Sequence, residues 1–396
     1  MDIISEAKTL QPKLVEYRRT LHACAEIGFE LPKTTAFVLS TLEKLGCKAE
    51  RYEKNGVIAT MGRGKRSVLL RADMDGLPIK ERTGLPFACK NGNMHACGHD
   101  IHTAMLLGAV QLLKAHEKEL KGRVYFLFQP AEERLLGAKE AIDLGIIKQT
   151  GASSALMIHV LTNTPLPTGT LVVSSKGVSA PSADFFTIRF KGKSCHGSAP
   201  WQGIDVLPAS SVALLSLQGL IAREVSFNAP AVLTIGQMQG GVEGNVIADE
   251  VTLKGTLRAY EEATRVRVKR RLEEIIKGVS KAFRVKSKVT YDGGCPSLLN
   301  DERVSALAYK VLKEMRKGKV YTSAELSADT KKGEGGSEDF AYISREIPSV
   351  MVALACGNKK DGYTYPLHHP KTSFDESAFY VGTATYAQFA FKGLQE

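Results

Sequence analysis

The sequence predicts an α/β sandwich interrupted by a second, ferredoxin-like α+β unit. Three observations carry that expectation. Short continuous apolar runs, the mark of strands buried on both faces, alternate with helical patterns in the first part of the chain. Near residue 178 the order changes to strand, helix, strand, strand, helix, strand, which is the split β-α-β-β-α-β arrangement. The length of 396 residues also exceeds the roughly 250–300 at which a single core stops growing. The expected boundaries are 1–177 and 294–396 for the first domain and 178–293 for the inserted one.

The elements follow in order. Residues 5–21 read as one helix, with Leu10, Leu14 and Val15 on one side. A second helix spans 33–45 and is ended by Gly46. Strands are expected at 57–61, 67–73, 124–129 and 155–159, with a buried helix over 102–113. In the inserted unit, strands at 183–190, 231–237, 250–260 and 285–291 surround helices at 206–223 and 261–283. After Gly293 and Gly294 the first domain resumes, with a helix at 301–315, a buried strand at 350–354 and a closing helix at 376–393.

Composition narrows the function classes. Hydrophobic content of 43% supplies an ordinary globular core. No run of about 18 apolar residues is present, so no membrane span is expected. The first residues have an acidic start and no apolar segment, unlike a secretory signal. The 7 cysteines are scattered and odd in number, which points to a reducing, cytoplasmic setting rather than a disulfide framework. The net charge of +11 is not gathered in one tract. Its densest stretch, 265–288, mixes basic residues with Glu273 and Glu274 at helical spacing, the pattern of a solvated helix face. Nucleic acid is therefore not an expected partner, whereas a positive field suits small acidic substrates.

Chemistry concentrates between Asn93 and His102, where Cys97 and Asp100 stand among His95, His99 and His102. Thiols, imidazoles and carboxylates are the ligands of borderline-soft metals. Gly98 separates Cys97 from His99, where the backbone needs freedom to aim both at one point. The plain alternative is a polar helix start with a buried cysteine. Further candidates follow predicted strands. Glu132 and Glu133 come after Pro130, Asp75 after Asp73, and His159 ends an apolar run. Adjacent carboxylates are commonly a surface pair. They can also divide labour, one binding metal while the other serves as general base toward a water. His368 lies near the far end, in Leu367-His368-His369-Pro370. Each signal is weak alone, and together they make a strong set.

Five segments occur in a fixed order: Arg71-Ala-Asp-Met-Asp-Gly-Leu-Pro78, Met94-His-Ala-Cys-Gly-His-Asp-Ile-His102, Gln129-Pro-Ala-Glu-Glu133, Gly336-Ser-Glu-Asp-Phe340 and Leu367-His-His-Pro370. The chain thereby resembles the dinuclear metallo-amidohydrolases that include hippurate and N-acyl-amino-acid hydrolases, plant auxin-conjugate hydrolases and aminoacylase. The resemblance runs from about residue 10 to the C-terminus, and the Met94–Asp100 segment is its most specific part. It implies a zinc-peptidase-like α/β/α catalytic domain carrying an inserted ferredoxin-like dimerisation domain. The family pattern is broken at Ala25 and Ala248, where prolines are usual, and at Ser194 and Cys195, where glycines are usual.

The resemblance also implies roles. Cys97, His99, Glu133, His159 and His368 match metal ligands, with Cys97 between two divalent ions. Zinc or manganese is expected there, with nickel or cobalt as alternatives. Glu132 matches the general base and Asp75 a carboxylate that orients a ligand. His196 matches a histidine carried on the inserted domain, expected to act on a partner chain's site. Asn245 and Arg258 match substrate-contacting positions. No organic cofactor is expected. The expected activity is metal-dependent hydrolysis of the amide of an N-acyl amino acid or small conjugate by a homodimer or tetramer. A dipeptidase or carboxypeptidase on the same site is the alternative, and a non-catalytic metal-binding protein the alternative from another class.

Overall fold

The computed structural model describes residues 2–326 and 336–395. The stretch 327–335, assigned above to the first domain, lies outside the described residues. In chain order the early strands are β1 (Lys48–Arg51), β2 (Val57–Gly62), β3 (Ser67–Asp73), β4 (Arg123–Gln129), β5 (Ser154–Leu161), β6 (Leu171–Val173) and β7 (Gly177–Ala180). They are followed by β8 (Ser182–Lys191), β9 (Ala231–Gly240), β10 (Glu250–Ala259) and β11 (Lys286–Cys295). The last are β12 (Leu298–Asn300), β13 (Val320–Thr322) and β14 (Ser349–Ala355).

The chain divides into two compact units. The first holds residues 1–179 with most of the chain after Leu299, and the second holds Ala180–Leu298 with a short segment ending at Glu338. The second unit extends past residue 293 because β11 continues through Gly294 and Cys295, which pair with Asp184 and Ala183 of β8.

The first unit is built on an 8-stranded mixed sheet of order β1-β2-β4-β3-β5-β14-β6-β13. Its middle strands β4, β3, β5 and β14 run parallel, so their carboxyl ends share one rim. β3 is buried at every position, as a strand covered on both faces must be. One group of helices packs around His99–Ala115, with Gln11–His22 and the closing helix Phe379–Gly393 against it. Another comprises Gly137–Asp143, Ile146–Thr150 and Phe340–Glu346. The single helix expected at 5–21 is instead two, Ile3–Thr9 and Gln11–His22, broken at Leu10. Pro12 explains the break. It lacks an N–H, so it fits the first turn of a helix and not the interior. The helix expected at 102 begins earlier, at His99, so His99, Asp100 and His102 stand on its first turns.

The second unit is an antiparallel sheet of order β11-β8-β10-β9. Helices Val206–Glu224 and Glu262–Phe283 pack on it, and their stripes, such as Val268, Leu272 and Ile276, join Phe186, Ile188 and Leu253 in its core. Arg265 and Lys269 both pair with the buried Asp184 of β8, at 2.6 and 2.7 Å. Val206–Glu224 is the one described helix long and apolar enough by length and composition to cross a membrane. A count of uninterrupted apolar residues misses it because serines and a glutamine punctuate it. Its buried positions, Val206, Ala209, Ala213, Leu217 and Leu220, recur at the spacing of one packed face.

Candidate metal centre

The centre grows from the carboxyl rim of the parallel strands. Gly98 caps the helix His99–Ala115 in the left-handed region, at φ 90°. A Cβ there would come within 2.4 Å of the Val160 side chain. Glycine thus lets the chain reverse between Cys97 and His99, so that both approach one point. The His99 ring donates from Nδ1 to the Asp75 carbonyl at 2.9 Å, which leaves the Nε2 lone pair facing the site. That buried nitrogen has no hydrogen-bond partner among the described residues. Around it lie Asp73 at 3.7 Å and Glu132 and Glu133 at 3.9 Å each. His159, near the end of β5, donates from Nδ1 to the Val160 carbonyl at 2.8 Å and brings Nε2 to 3.5 Å from Cys97 Sγ. His368 arrives on a left-handed residue, φ 62°, whose N–H is held by the Ala96 carbonyl at 3.0 Å. Its Nε2 lies 3.5 Å from Glu133 Oε1.

Of the donor triads among the described residues two contain Cys97, Cys97–His99–His159 and Cys97–Glu133–His368, and in each the donor atoms lie within 4.8 Å of one another. Cys97 belongs to both, and Glu132 joins His99 and Glu133 in a further group. Thiolate, imidazole and carboxylate together suit a borderline-soft divalent cation. The electrostatics agree. Burial alone would lower the His99 pKa, yet Asp73 and Cys97 raise it well above its ordinary value, so the surroundings favour a positive charge. Burial lowers His159 to about 3, which keeps its lone pair available to a metal. Burial pushes the Cys97 thiol up to about 12, so a cation must displace its proton to be bound. The orphaned His99 nitrogen, the shared thiol and the cation-favouring field fit a pair of metal ions.

Several supports were not assigned from the sequence. The Asp75 carboxylate, expected as an orienting group, accepts the Glu132 N–H at 3.0 Å and the Glu133 N–H at 3.2 Å. Asp75 therefore fixes the main chain of both glutamates through its carboxylate and holds His99 through its carbonyl. Ala131 just before them is left-handed, φ 57°, a strained turn of the kind that collects at functional sites. Glu132 Oε1 accepts the main-chain N–H of Asp339 at 3.4 Å. Asp339 is fully buried. Its carboxylate takes Arg71 and Gln129 at 2.8 Å and the Ala138 N–H at 2.9 Å. On the far side of the same helix start, Arg18 and His22 grip Asp100 at 2.8 and 2.7 Å. The signal that could have found these residues is a charged side chain inside an otherwise apolar strand, Arg71, or in the quoted segments, Asp73, Asp100 and Asp339.

Cys97, His99, Glu132, Glu133, His159, His368 and Asp75 are thus brought together in the first unit. His196, Asn245 and Arg258 belong to the second. There His196 pairs in register with Val246, and the Gly197 N–H donates to the Asn245 carbonyl at 2.7 Å, so these two exposed residues share one loop cluster. Arg258 on β10 donates to Ser337 Oγ at 2.6 Å and lies 5.6 Å from the centre of the Phe185 ring.

Comparison with known proteins agrees with this geometry. Residues 69–392 match the sequence profile of peptidase family M20/M25/M40. The chain is 35% identical to an N-acetyl-L-cysteine deacetylase of Bacillus subtilis, over 93% of this chain and 85% of that protein. It is 33% identical to an IAA-amino acid hydrolase of Arabidopsis thaliana, over 97% and 86% of the two chains. The solved structure of a dinuclear metal-binding peptidase from Bacillus subtilis superposes with a TM-score of 0.78 at 31% identity, covering 98% of this chain and 99% of that one.

Proposed function

The chain belongs to peptidase family M20/M25/M40, and on that premise we propose that it hydrolyses the amide bond of N-acyl amino acids or small amino-acid conjugates. The products are a carboxylic acid and a free amino acid. It is a metal-dependent hydrolase with a dinuclear site. The observation that supports this chemistry best is the sharing of Cys97 by two triads beside a carboxylate, Glu132, that neither triad uses.

Cys97, His99 and His159 would hold one ion, and Cys97, Glu133 and His368 the other. Zinc or manganese is the proposed occupant, since a mixed sulfur, nitrogen and oxygen set suits either, with nickel or cobalt as competitors. When bound, the ions supply Lewis acidity toward the amide carbonyl and the attacking water. Glu132 takes the proton of that water and delivers it to the leaving nitrogen. Asp75 keeps both glutamates in register while the proton moves. Arg258 and Asn245 are assigned to the substrate.

The proposed assembly is a homodimer through the second unit, or a tetramer made from such dimers. Supporting it are Val212 and Leu215 on helix Val206–Glu224 and Val232 and Met238 on the edge strand β9, all exposed apolar side chains. In that dimer His196 acts on the partner chain's site as a donor to the developing oxyanion. The proposed compartment is the cytoplasm, in keeping with the free state of the cysteines. Neither nucleic acid nor membrane is a proposed partner.

The direct test is a screen of N-acyl amino acids and dipeptides with apoprotein reloaded with each metal. Metal-dependent release of a free amino acid from N-acyl substrates is expected. Turnover of dipeptides with none of N-acyl amino acids would replace this reading with a peptidase.

A further inference from the structure

His95, His99 and His102 fall in one short segment, and the last of them is also within ligand distance of Asp73 and His99. Its hydrogen bonds decide its role. Val160 N–H donates to His102 Nε2 at 2.9 Å. A backbone amide can only donate, so Nε2 carries the lone pair and the ring proton sits on Nδ1. Nδ1 in turn donates to Asp73 Oδ1 at 2.6 Å, while Arg71 holds the other Asp73 oxygen at 2.8 Å. Both nitrogens of this fully buried ring are therefore used.

The sheet explains why a side chain is needed there. The β3–β5 ladder stops at the pair Arg71–Met157, so β5 runs on beyond its partner. A buried strand amide left without a partner keeps the full cost of its lost hydration. His102 takes the place of the missing strand at Val160. That peptide is also where His159 is anchored, through its Nδ1 to the Val160 carbonyl at 2.8 Å. The two rings meet edge to face, with centroids 4.8 Å apart.

We infer that His102 is a positioning residue for the metal pair and not a ligand. Held in one tautomer by Asp73, it fixes the Val160 peptide and through it turns His159 Nε2 toward Cys97. The inference rests on the proposed reading of His159 as a ligand.

The test is calorimetric titration of Co²⁺ or Zn²⁺ into metal-free protein, with the Co²⁺ absorption spectrum as a second readout. Three variants are compared. His159→Ala removes the proposed ligand and is expected to lose one ion. His102→Asn keeps a donor near Asp73 but offers Val160 no acceptor. It is expected to keep both ions while one binds about 10–100-fold more weakly, as loss of an outer partner usually does, with shifted Co²⁺ bands. His102→Gln can place an amide oxygen at the Nε2 position and is expected to lose less than tenfold. Parent-like affinity in His102→Asn overturns the inference, and so does loss of a whole ion in either His102 variant. Should the asparagine variant not fold, the ion count of the glutamine variant decides. Retention of both ions by His159→Ala would instead sink the ligand reading on which the inference stands.

Discussion

Glu132 and Cys97 show how differently two buried residues of one site can be tested. Glu132 sits at a fixed main-chain position but lies outside both triads that contain Cys97. Glu132→Gln should therefore keep both metal ions, because the amide preserves shape, and lose turnover because it cannot accept a proton. A fall of about 10²–10⁴-fold in kcat is expected, typical of losing a general base. Elemental analysis alongside steady-state kinetics checks both halves, and a near-parent rate would remove Glu132 from the mechanism. Cys97 is assigned to the metal, and burial raises its thiol pKa to about 12 in the metal-free protein. Binding must expel that proton, so below pH 12 affinity should weaken as pH falls, by about tenfold per unit for each proton displaced. Metal titrations across a pH series measure the slope. Co²⁺-loaded protein should show a thiolate-to-cobalt charge-transfer band that Cys97→Ser lacks. The same band in both proteins would strike Cys97 from the ligand set.

At the scale of elements, the site depends on one helix start. Gly98 must be left-handed, and its missing side chain makes room for Val160 and Phe374, which a Cβ would meet at 2.4 and 3.1 Å. Gly98→Ala thus combines an unfavourable φ with a clash against β5. We expect a loss of about 1–3 kcal/mol of stability. Metal binding should weaken too, because Cys97 and His99 flank the strained residue. Urea denaturation of metal-free protein, with a metal titration on the same sample, measures the two effects. Unchanged values in both would mean that this turn tolerates a side chain and does not aim the ligands. The strands around the site were legible from apolar runs, since burial on both faces leaves few polar positions. The helix boundaries were less so. Pro12 divides one predicted helix into two, and His99 begins another before its apolar stretch does.

For the whole molecule, two compact units imply a division of labour, and the histidine on the second unit gives a way to test it. The proposed dimer places His196 in the service of a partner's metal centre. His196→Ala and Glu132→Gln should each be nearly inactive, the first by about 10²–10³-fold if an oxyanion donor is lost. Mixed under conditions of subunit exchange, they should form heterodimers in which one site has both residues intact. Activity should then return to a fraction of the parent's. Heterodimers that form, as verified by mass, yet stay as inactive as both parents would confine His196 to its own chain. Leu215 is 72% exposed on the apolar helix of the second unit, so Leu215→Glu should shift the assembly toward monomer on size exclusion with light scattering.

The sequence by itself determined the chemistry and the architecture. Strand runs and the change of element order near residue 178 led to the fold class, and the family resemblance carried by five ordered segments named the expected donor residues. Tertiary structure alone decided how those side chains are aimed. The pairing of Arg71 with Asp339, or of His102 with the Val160 amide, joins positions far apart in the chain. No local pattern reports such a bond, because it exists only once the strands lie side by side. The same holds for His102 against His99. They are alike in the sequence and neighbours on one helix. What separates them is that the ladder beside β5 stops short, and of the amides left to side chains the Tyr386 hydroxyl takes that of Ile158 and the His102 imidazole that of Val160.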